Sequence, residues 1–155
     1  NPDILFTFQE ITRCIKYMNM HMLSMCLSIL KIQGNKMQIS AAGMPPALLY
    51  RNKTKSVEEI ILKGMPLGAV QDFPYELRQT EIYTGDTILL MSDGFPEMFN
   101  KDKELFGYER VIETYQKAAD KNPEEIIREL KNAGSDWSQS DTPDDDVTFV
   151  VIKVK

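Results

Sequence analysis

Residues 85–99, from Gly85 to Phe99, read GDTILLMSDGFPEMF, and the rest of the chain is organised around them. Gly85-Asp86 has the composition of a turn. Residues 87–92 are a short, nearly unbroken apolar run of strand length. Asp93-Gly94 ends the run, and Pro96 stands where a first helical turn is expected to begin. A carboxylate is therefore expected at the mouth of a buried strand. The Gly beside it lets backbone or ligand come close. Such a position suits a cation, and the remaining chain is read for what supports this strand or brings a second carboxylate to it.

The chain has 155 residues, enough for one domain with its own core, and residues 1–155 are read as a single domain. Hydrophobic residues make up 43%, which excludes a disordered chain. No apolar stretch reaches membrane-spanning length. Residues 1–15 lack the basic start, apolar core and small-residue cleavage site of a secretory leader. Lys plus Arg number 18 against 23 Asp plus Glu, a net charge of −5. No basic stripe with interleaved aromatics is present, so nucleic acid is not expected as a partner. Acidic residues bunch near the C-terminus at Asp136, Asp141, Asp144, Asp145 and Asp146. A solvated acidic loop is the plain reading of such a bunch, and only placement can argue for more. Cys14 falls in an expected helix and Cys26 in an expected strand, both among apolar neighbours. Two scattered cysteines make no disulfide framework, and buried thiols fit a cytoplasmic location.

Asn1-Pro2-Asp3 reads as a helix start, and residues 4–18 carry Leu5, Phe8, Ile11, Ile15 and Met18 at helical spacing. Residues 22–32 read as a strand, Gly34-Asn35 as a turn and residues 36–42 as the returning strand of a hairpin. The run Ala41-Ala42-Gly43-Met44-Pro45-Pro46 breaks that strand, and residues 47–50 are expected to resume it. A polar turn at 51–56 precedes a short apolar piece at 57–62, and Gly64-Met65-Pro66-Leu67-Gly68 is a tight loop. Residues 75–83 alternate as a half-exposed strand. After the 87–92 strand, Phe106-Gly107 starts a helix to about Ala119. Asn122-Pro123-Glu124-Glu125 starts another that ends near Ala133-Gly134. Residues 135–143 read as a polar loop. Residues 147–154, apolar on both faces, are expected as a central, covered strand. The order of elements predicts an α+β fold, a layered sandwich of mostly antiparallel sheets flanked by helices.

Carboxylates leave the 87–92 strand at its C-terminal end (Asp93) and enter the last strand at its N-terminal end (Asp145, Asp146). If the two strands are antiparallel neighbours, Asp93 and Asp145 meet at one sheet edge with no local positive residue to neutralise them. Like charges held together are costly unless a cation binds or one is protonated. Oxygen-only ligands point to a hard cation, Mg²⁺ or Mn²⁺. The solvated loop remains the alternative at this level.

These residues resemble a family. GDTILLMSDGFPEMF is similar to the Gly-Asp, apolar run, Ser-Asp-Gly motif of the metal-dependent protein phosphatases of the protein phosphatase 2C superfamily. Asp145-Asp146-Val147-Thr148 resembles that family's closing motif. The hairpin with Ala41 to Ala47, followed by Pro66-Leu67-Gly68, resembles the bacterial stage II sporulation branch of SpoIIE/RsbU type. The resemblance covers essentially the whole chain, in order. It implies two antiparallel sheets between helices and hydrolysis of phosphoserine or phosphothreonine on a protein. It also implies two Mn²⁺ or Mg²⁺ ions bridged by a water or hydroxide that serves as nucleophile, with no nucleophilic side chain. It makes Asp93 and Asp145 metal ligands, Asp146 a supporting residue and Gly94 the point of close approach. The substrate it implies is a phosphorylated regulatory protein such as an anti-sigma-factor antagonist. Upstream sensor domains, with any membrane anchor they carry, are common in this branch.

There are two departures from the family pattern. Met44 stands where the branch usually has His. The family's first motif, an Asp-Gly pair bridging the two metals, is expected before Asn1, so this chain is expected to be the C-terminal part of the domain and is not expected to be fully active alone. An open sheet edge would follow, and with it a homodimer or strand exchange between chains. A non-catalytic binding or dimerisation module that keeps the fold is the competing reading. Other phosphatase chemistries fit less well. The Asp144-Asp145-Asp146-Val147-Thr148 run precedes a strand where an aspartyl-phosphate nucleophile should follow one. Neither cysteine has Arg six residues later. His21, the only histidine, reads as a strand-edge residue.

Overall fold

The computed structural model describes residues 3–18, 23–139 and 145–155. The chain forms two compact units, one from Asn1–Met44 and Ile61–Ile82, the other from Pro45–Ile60 and Tyr83–Lys155. His21 and the 140–144 part of the expected polar loop lie outside the described residues.

In the first unit, α1 (Ile4–Tyr17) starts where Asp3 caps it: the carboxylate accepts from the Phe6 amide at 2.9 Å. Ile4, Phe8, Thr12 and Ile15 fall on one face and are buried. They pack with Ala42 and Leu67, and Phe8 meets the Tyr75 ring edge-on at 5.1 Å. Strands β1 (Leu27–Gln33) and β2 (Lys36–Ala42) form the hairpin expected across Gly34, whose φ of +59° suits the turn. β5 (Arg78–Glu81) pairs antiparallel with the other side of β2, giving the order β1-β2-β5.

Three local expectations are corrected here. β1 begins at Leu27, not residue 22, because Met25 is held in an isolated bridge with Leu67. β5 spans four residues of the expected 75–83, those that pair with Lys36 to Ile39 of β2. Cys14 and Cys26 are free but exposed, not buried. Cys14 lies one position off the buried 4-8-12-15 stripe, and Cys26 precedes β1.

The second unit is a four-stranded antiparallel sheet, β4-β3-β6-β7, with two helices. Its strands are β3 (Ala47–Arg51), β4 (Ser56–Ile60), β6 (Thr87–Met91) and β7 (Phe149–Lys153). β3 does not resume β2. It belongs to this other sheet, because Gly43 turns the backbone at φ +68° and Pro45-Pro46 have no amide to pair. β7 lies at the sheet's edge, not its centre, and starts at Phe149; Val150 is 46% exposed. An apolar run specifies a strand but not its neighbours.

α2 (Gly107–Ala118) and α3 (Pro123–Ser138) cover the core built on Leu48, Leu89, Phe95, Val111, Tyr115 and Ile126. Asn122 caps α3 through the Glu125 amide at 2.9 Å. The helix runs through Gly134 to Ser138, past its expected end. Gly134 is a packing position: a Cβ there would lie 3.1 Å from the Phe95 ring. The expected helical start at Pro96 is a single turn, with the Glu97 amide donating to the Asp93 carbonyl at 3.0 Å. The antiparallel α+β class predicted from the order of elements is the class observed.

Candidate active site

The site is built by β6 and β7. They pair antiparallel from Thr87↔Lys153 to Met91↔Phe149, so the C-terminal end of one stands beside the N-terminal end of the other. Beyond the ladder, Ser92 continues the join. Its amide donates to the Thr148 carbonyl at 3.1 Å and its hydroxyl to the Asp146 carbonyl at 2.9 Å, while Oγ accepts from the Thr148 amide at 2.9 Å. The next residues, Asp93-Gly94, are thereby set against Asp145-Asp146. A Cβ on Gly94 would fall 2.6 Å from the Asp146 carbonyl oxygen and 3.4 Å from the Asp145 carbonyl carbon. Only a glycine fits there without backbone movement.

Asp93, Asp145 and Asp146 are all exposed at this edge. Asp145 Oδ1 accepts from the Asp146 amide at 2.7 Å, which orients the Asp145 side chain. Among the described residues none of the three carboxylates forms an ion pair. Exposed oxygen donors without a cation partner fit a hard divalent ion. Among the described residues no three His, Cys, Asp or Glu side chains, these carboxylates included, are grouped closely enough to hold a metal ion together. Asp141 and Asp144 lie outside those residues.

Two further groups border the edge. Glu97 is exposed on the same turn as Asp93. Tyr108, in the first turn of α2, has its phenol pKa raised above the ordinary value, first by burial and then by the Glu97 and Asp93 carboxylates.

A fourth carboxylate, Asp86, is different in kind. It is 2% exposed and accepts from Arg51 Nη1 at 3.2 Å, the Asn52 amide at 2.9 Å and the Tyr83 amide at 3.1 Å. Burial alone lowers the Arg51 pKa, but hydrogen bonds to Glu58 and Asp86 outweigh it and the net shift is upward. Asp86 thus anchors the entry to β6. Behind it, the Tyr115 hydroxyl donates to the Thr87 carbonyl at 2.8 Å, and Thr87 Oγ1 donates to the Ala119 carbonyl at 2.9 Å.

Sequence reasoning missed Ser92, Glu97, Tyr108 and the buried role of Asp86. A hydroxyl at a strand end next to Asp-Gly was a usable signal for Ser92. An acid immediately before an apolar strand was one for Asp86. Tyr108 had none.

The family model described as Stage II sporulation protein E (SpoIIE) matches residues 6–155. The chain belongs to the SpoIIE family. Stage II sporulation protein E of Bacillus subtilis (strain 168) is 23% identical over 128 residues, covering 83% of this chain and 15% of that protein. Phosphoserine phosphatase RsbU of the same organism is 34% identical over 58 residues, 37% of this chain and 17% of that protein. The chain therefore spans less than a fifth of either relative.

Among solved structures, the RsbU and RsbW domains of Rv1364c from Mycobacterium tuberculosis superpose with a TM-score of 0.74 at 20% identity. That match covers 99% of this chain and 42% of that one. The SpoIIE phosphatase domain from B. subtilis, presoaked in Mn, gives 0.67 at 18% identity, covering 99% and 68%. The M. tuberculosis serine/threonine phosphatase PstP/Ppp gives 0.63 at 16% identity, covering 96% and 68%. At these identities the likeness is one of fold: the SpoIIE-family chain has the antiparallel α+β architecture of protein phosphatase 2C-type domains.

Proposed function

We propose that this SpoIIE-family chain carries the Asp93–Asp145 half of a metal-dependent serine/threonine phosphatase site. Its substrate would be phosphoserine or phosphothreonine on a bacterial regulatory protein, of the anti-sigma-factor-antagonist kind. The observation that carries the reading is the β6–β7 join, in which Ser92 and Gly94 hold Asp93 against Asp145-Asp146. Asp93 and Asp145 are the ligands, Asp146 supports the edge from the neighbouring position, and Gly94 allows the close approach. Mn²⁺ or Mg²⁺, two ions in the full site, would supply a nucleophilic water at neutral pH and screen the phosphoryl charge. The chain's own residues contribute oxygen ligands, fix their separation through Ser92, and leave the edge open to a protein substrate.

Among the described residues no helix is long and apolar enough to cross a membrane. A cytoplasmic setting belongs to the same proposal, although the thiols, exposed and not buried, no longer argue for it. Self-association belongs to the same proposal, because β7 leaves one sheet edge unpaired among the described residues.

Isothermal titration with Mn²⁺ tests the reading, wild type against Asp93→Asn. Binding in the wild type that falls at least tenfold in Asp93→Asn supports it; equal binding, or none in either, refutes it. Mn²⁺ uptake with no release of phosphate from a phosphoserine peptide by a longer chain that includes the first Asp-Gly motif would identify a binding module instead.

A further inference from the structure

Between the 93–97 turn and α2 the chain makes a small, highly ordered loop. Asn100 is its hub. Its Oδ1 accepts from the Asp102 and Glu104 amides, each at 2.9 Å, and its Nδ2 donates to Glu104 Oε2 at 3.1 Å. Its backbone amide donates to the Glu104 carbonyl and its carbonyl accepts from the Lys103 amide, both at 3.0 Å. Lys103 takes the left-handed conformation, φ +64°, that closes the turn. The loop is closed at its base by the Phe106 amide on the Met98 carbonyl at 2.8 Å.

The alternation in this miniature hairpin is unusual. Met98 and Phe106 point in and are buried. The next pair, Phe99 and Leu105, is an antiparallel bridge pair whose side chains leave the same face. Polar residues are expected there, yet Phe99 is 41% and Leu105 46% exposed. Tyr108, 37% exposed, follows within one turn. A lone exposed apolar residue is ordinary. A rigid cross-strand pair followed three residues on by an exposed Tyr is a preformed contact surface, and preorganisation lowers the entropy cost of binding.

Its position says what it contacts. The Gly107 amide donates to the Pro96 carbonyl at 2.8 Å, tying the end of the loop to the turn that bears Asp93 and Glu97. The segment that bears the apolar pair is thus tethered to the turn that follows Asp93. Lys101, Asp102, Lys103 and Glu104 are all exposed at the tip of the loop, which carries no net charge.

We propose that the Phe99–Leu105 pair, with Tyr108, docks the phosphoprotein substrate by taking an apolar side chain that flanks its phosphoserine. This rests on the phosphatase reading of the Asp93–Asp145 edge. It adds a substrate class: proteins with a Leu-like residue beside the phosphorylated one, rather than any phosphoserine.

The test uses two fluorescein-labelled phosphoserine peptides, identical except for Leu or Ser flanking the phosphoserine. Binding is read by fluorescence polarisation with Mn²⁺ present. The wild type should bind the Leu peptide about tenfold more tightly, the order expected for burying one such side chain. Phe99→Ser/Leu105→Ser should bind both peptides equally weakly, with Mn²⁺ affinity and melting temperature held. Asn100→Ala, which keeps both apolar side chains but loosens the hub, should lose about threefold of the preference.

A wild type without preference overturns the proposal, and so does a double variant that keeps it. A wild-type dimer that the double variant dissolves would assign the face to a second copy instead. Mn²⁺ uptake without peptide preference sinks the docking surface alone. Failure to take up Mn²⁺ sinks the phosphatase reading, and the docking surface with it.

Discussion

Gly94→Ala is the substitution whose effect can be worked most directly from the structure. The new methyl carbon would stand 2.6 Å from the Asp146 carbonyl oxygen and 3.2 Å from its carbon, both backbone atoms. Ordinary contact begins near 3.4 Å, so about 0.8 Å must be found. The Asp146 carbonyl is not free to swing away, because it accepts from Ser92 Oγ at 2.9 Å while Ser92 also binds Thr148. Relief therefore has to come from separating the two chain segments. Overpacking of this kind costs about 1–3 kcal/mol. Urea unfolding should show Gly94→Ala less stable by roughly 2 kcal/mol, and Mn²⁺ titration should show affinity reduced about tenfold or more as Asp145 leaves Asp93. Gly107→Ala is the control. Its φ of +79° strains any side chain, but nothing lies within 4 Å of the added carbon. It should cost about 1 kcal/mol and leave Mn²⁺ affinity alone. Wild-type stability in Gly94→Ala would refute the packing argument. Lost stability with unchanged Mn²⁺ affinity would refute the link between that contact and the site.

Three further outcomes follow from named contacts. Asp86→Ala leaves the Asn52 and Tyr83 amides without their carboxylate and removes one of the partners of Arg51; urea unfolding should show a loss of about 3–5 kcal/mol with the m-value kept. Tyr115→Phe removes the buried bond to the Thr87 carbonyl and should cost about 1–2 kcal/mol at neutral pH. Burial raises the Tyr115 pKa above its unfolded value near 10. Its contribution is therefore complete below pH 10 and falls as pH rises above it, because the unfolded chain then loses a proton that the native one keeps. Urea midpoints taken from pH 8 to 11 should show that decline in the wild type and a shallower one in Tyr115→Phe. Asn122→Ala removes the α3 cap and should lower stability by about 1 kcal/mol, read in the same unfolding assay.

What could be read from the residues was whatever depends on near neighbours. The helix at α1 with Phe8 and Ile15 inward, the helix start at Asp3, the Asn122 cap, the hairpin at Gly34 and the β6 run follow from spacing within one element. The stripe itself differs, since α1 also buries Ile4 and Thr12 while Leu5 and Ile11 are only half-buried and Met18 is exposed. The antiparallel α+β class followed from the order of those elements. Misreadings arose where a distant contact overrides local preference. Gly134 looked like a helix end, yet the helix continues because Phe95 packs on the bare Cα. Pro96 looked like a helix start, yet the chain turns back so that Phe106 can bond to Met98. Ala47 to Tyr50 looked like a continuation of β2, yet it pairs with β4 and β6.

The 85–99 stretch shows where the division falls. Its sequence alone determined a buried strand that ends in a carboxylate and a glycine, since apolar run length and Asp-Gly chemistry are local properties. The tertiary structure alone decided that β7 is its neighbour, because strand pairing joins residues more than fifty positions apart. It also decided that β7 stands at an edge, that Ser92 is the stitch between them, and that Gly94 meets the Asp146 carbonyl. It decided as well that the loop following this stretch turns Phe99 and Leu105 outward. Each depends on backbone groups finding partners across the sheet, information that no single segment carries.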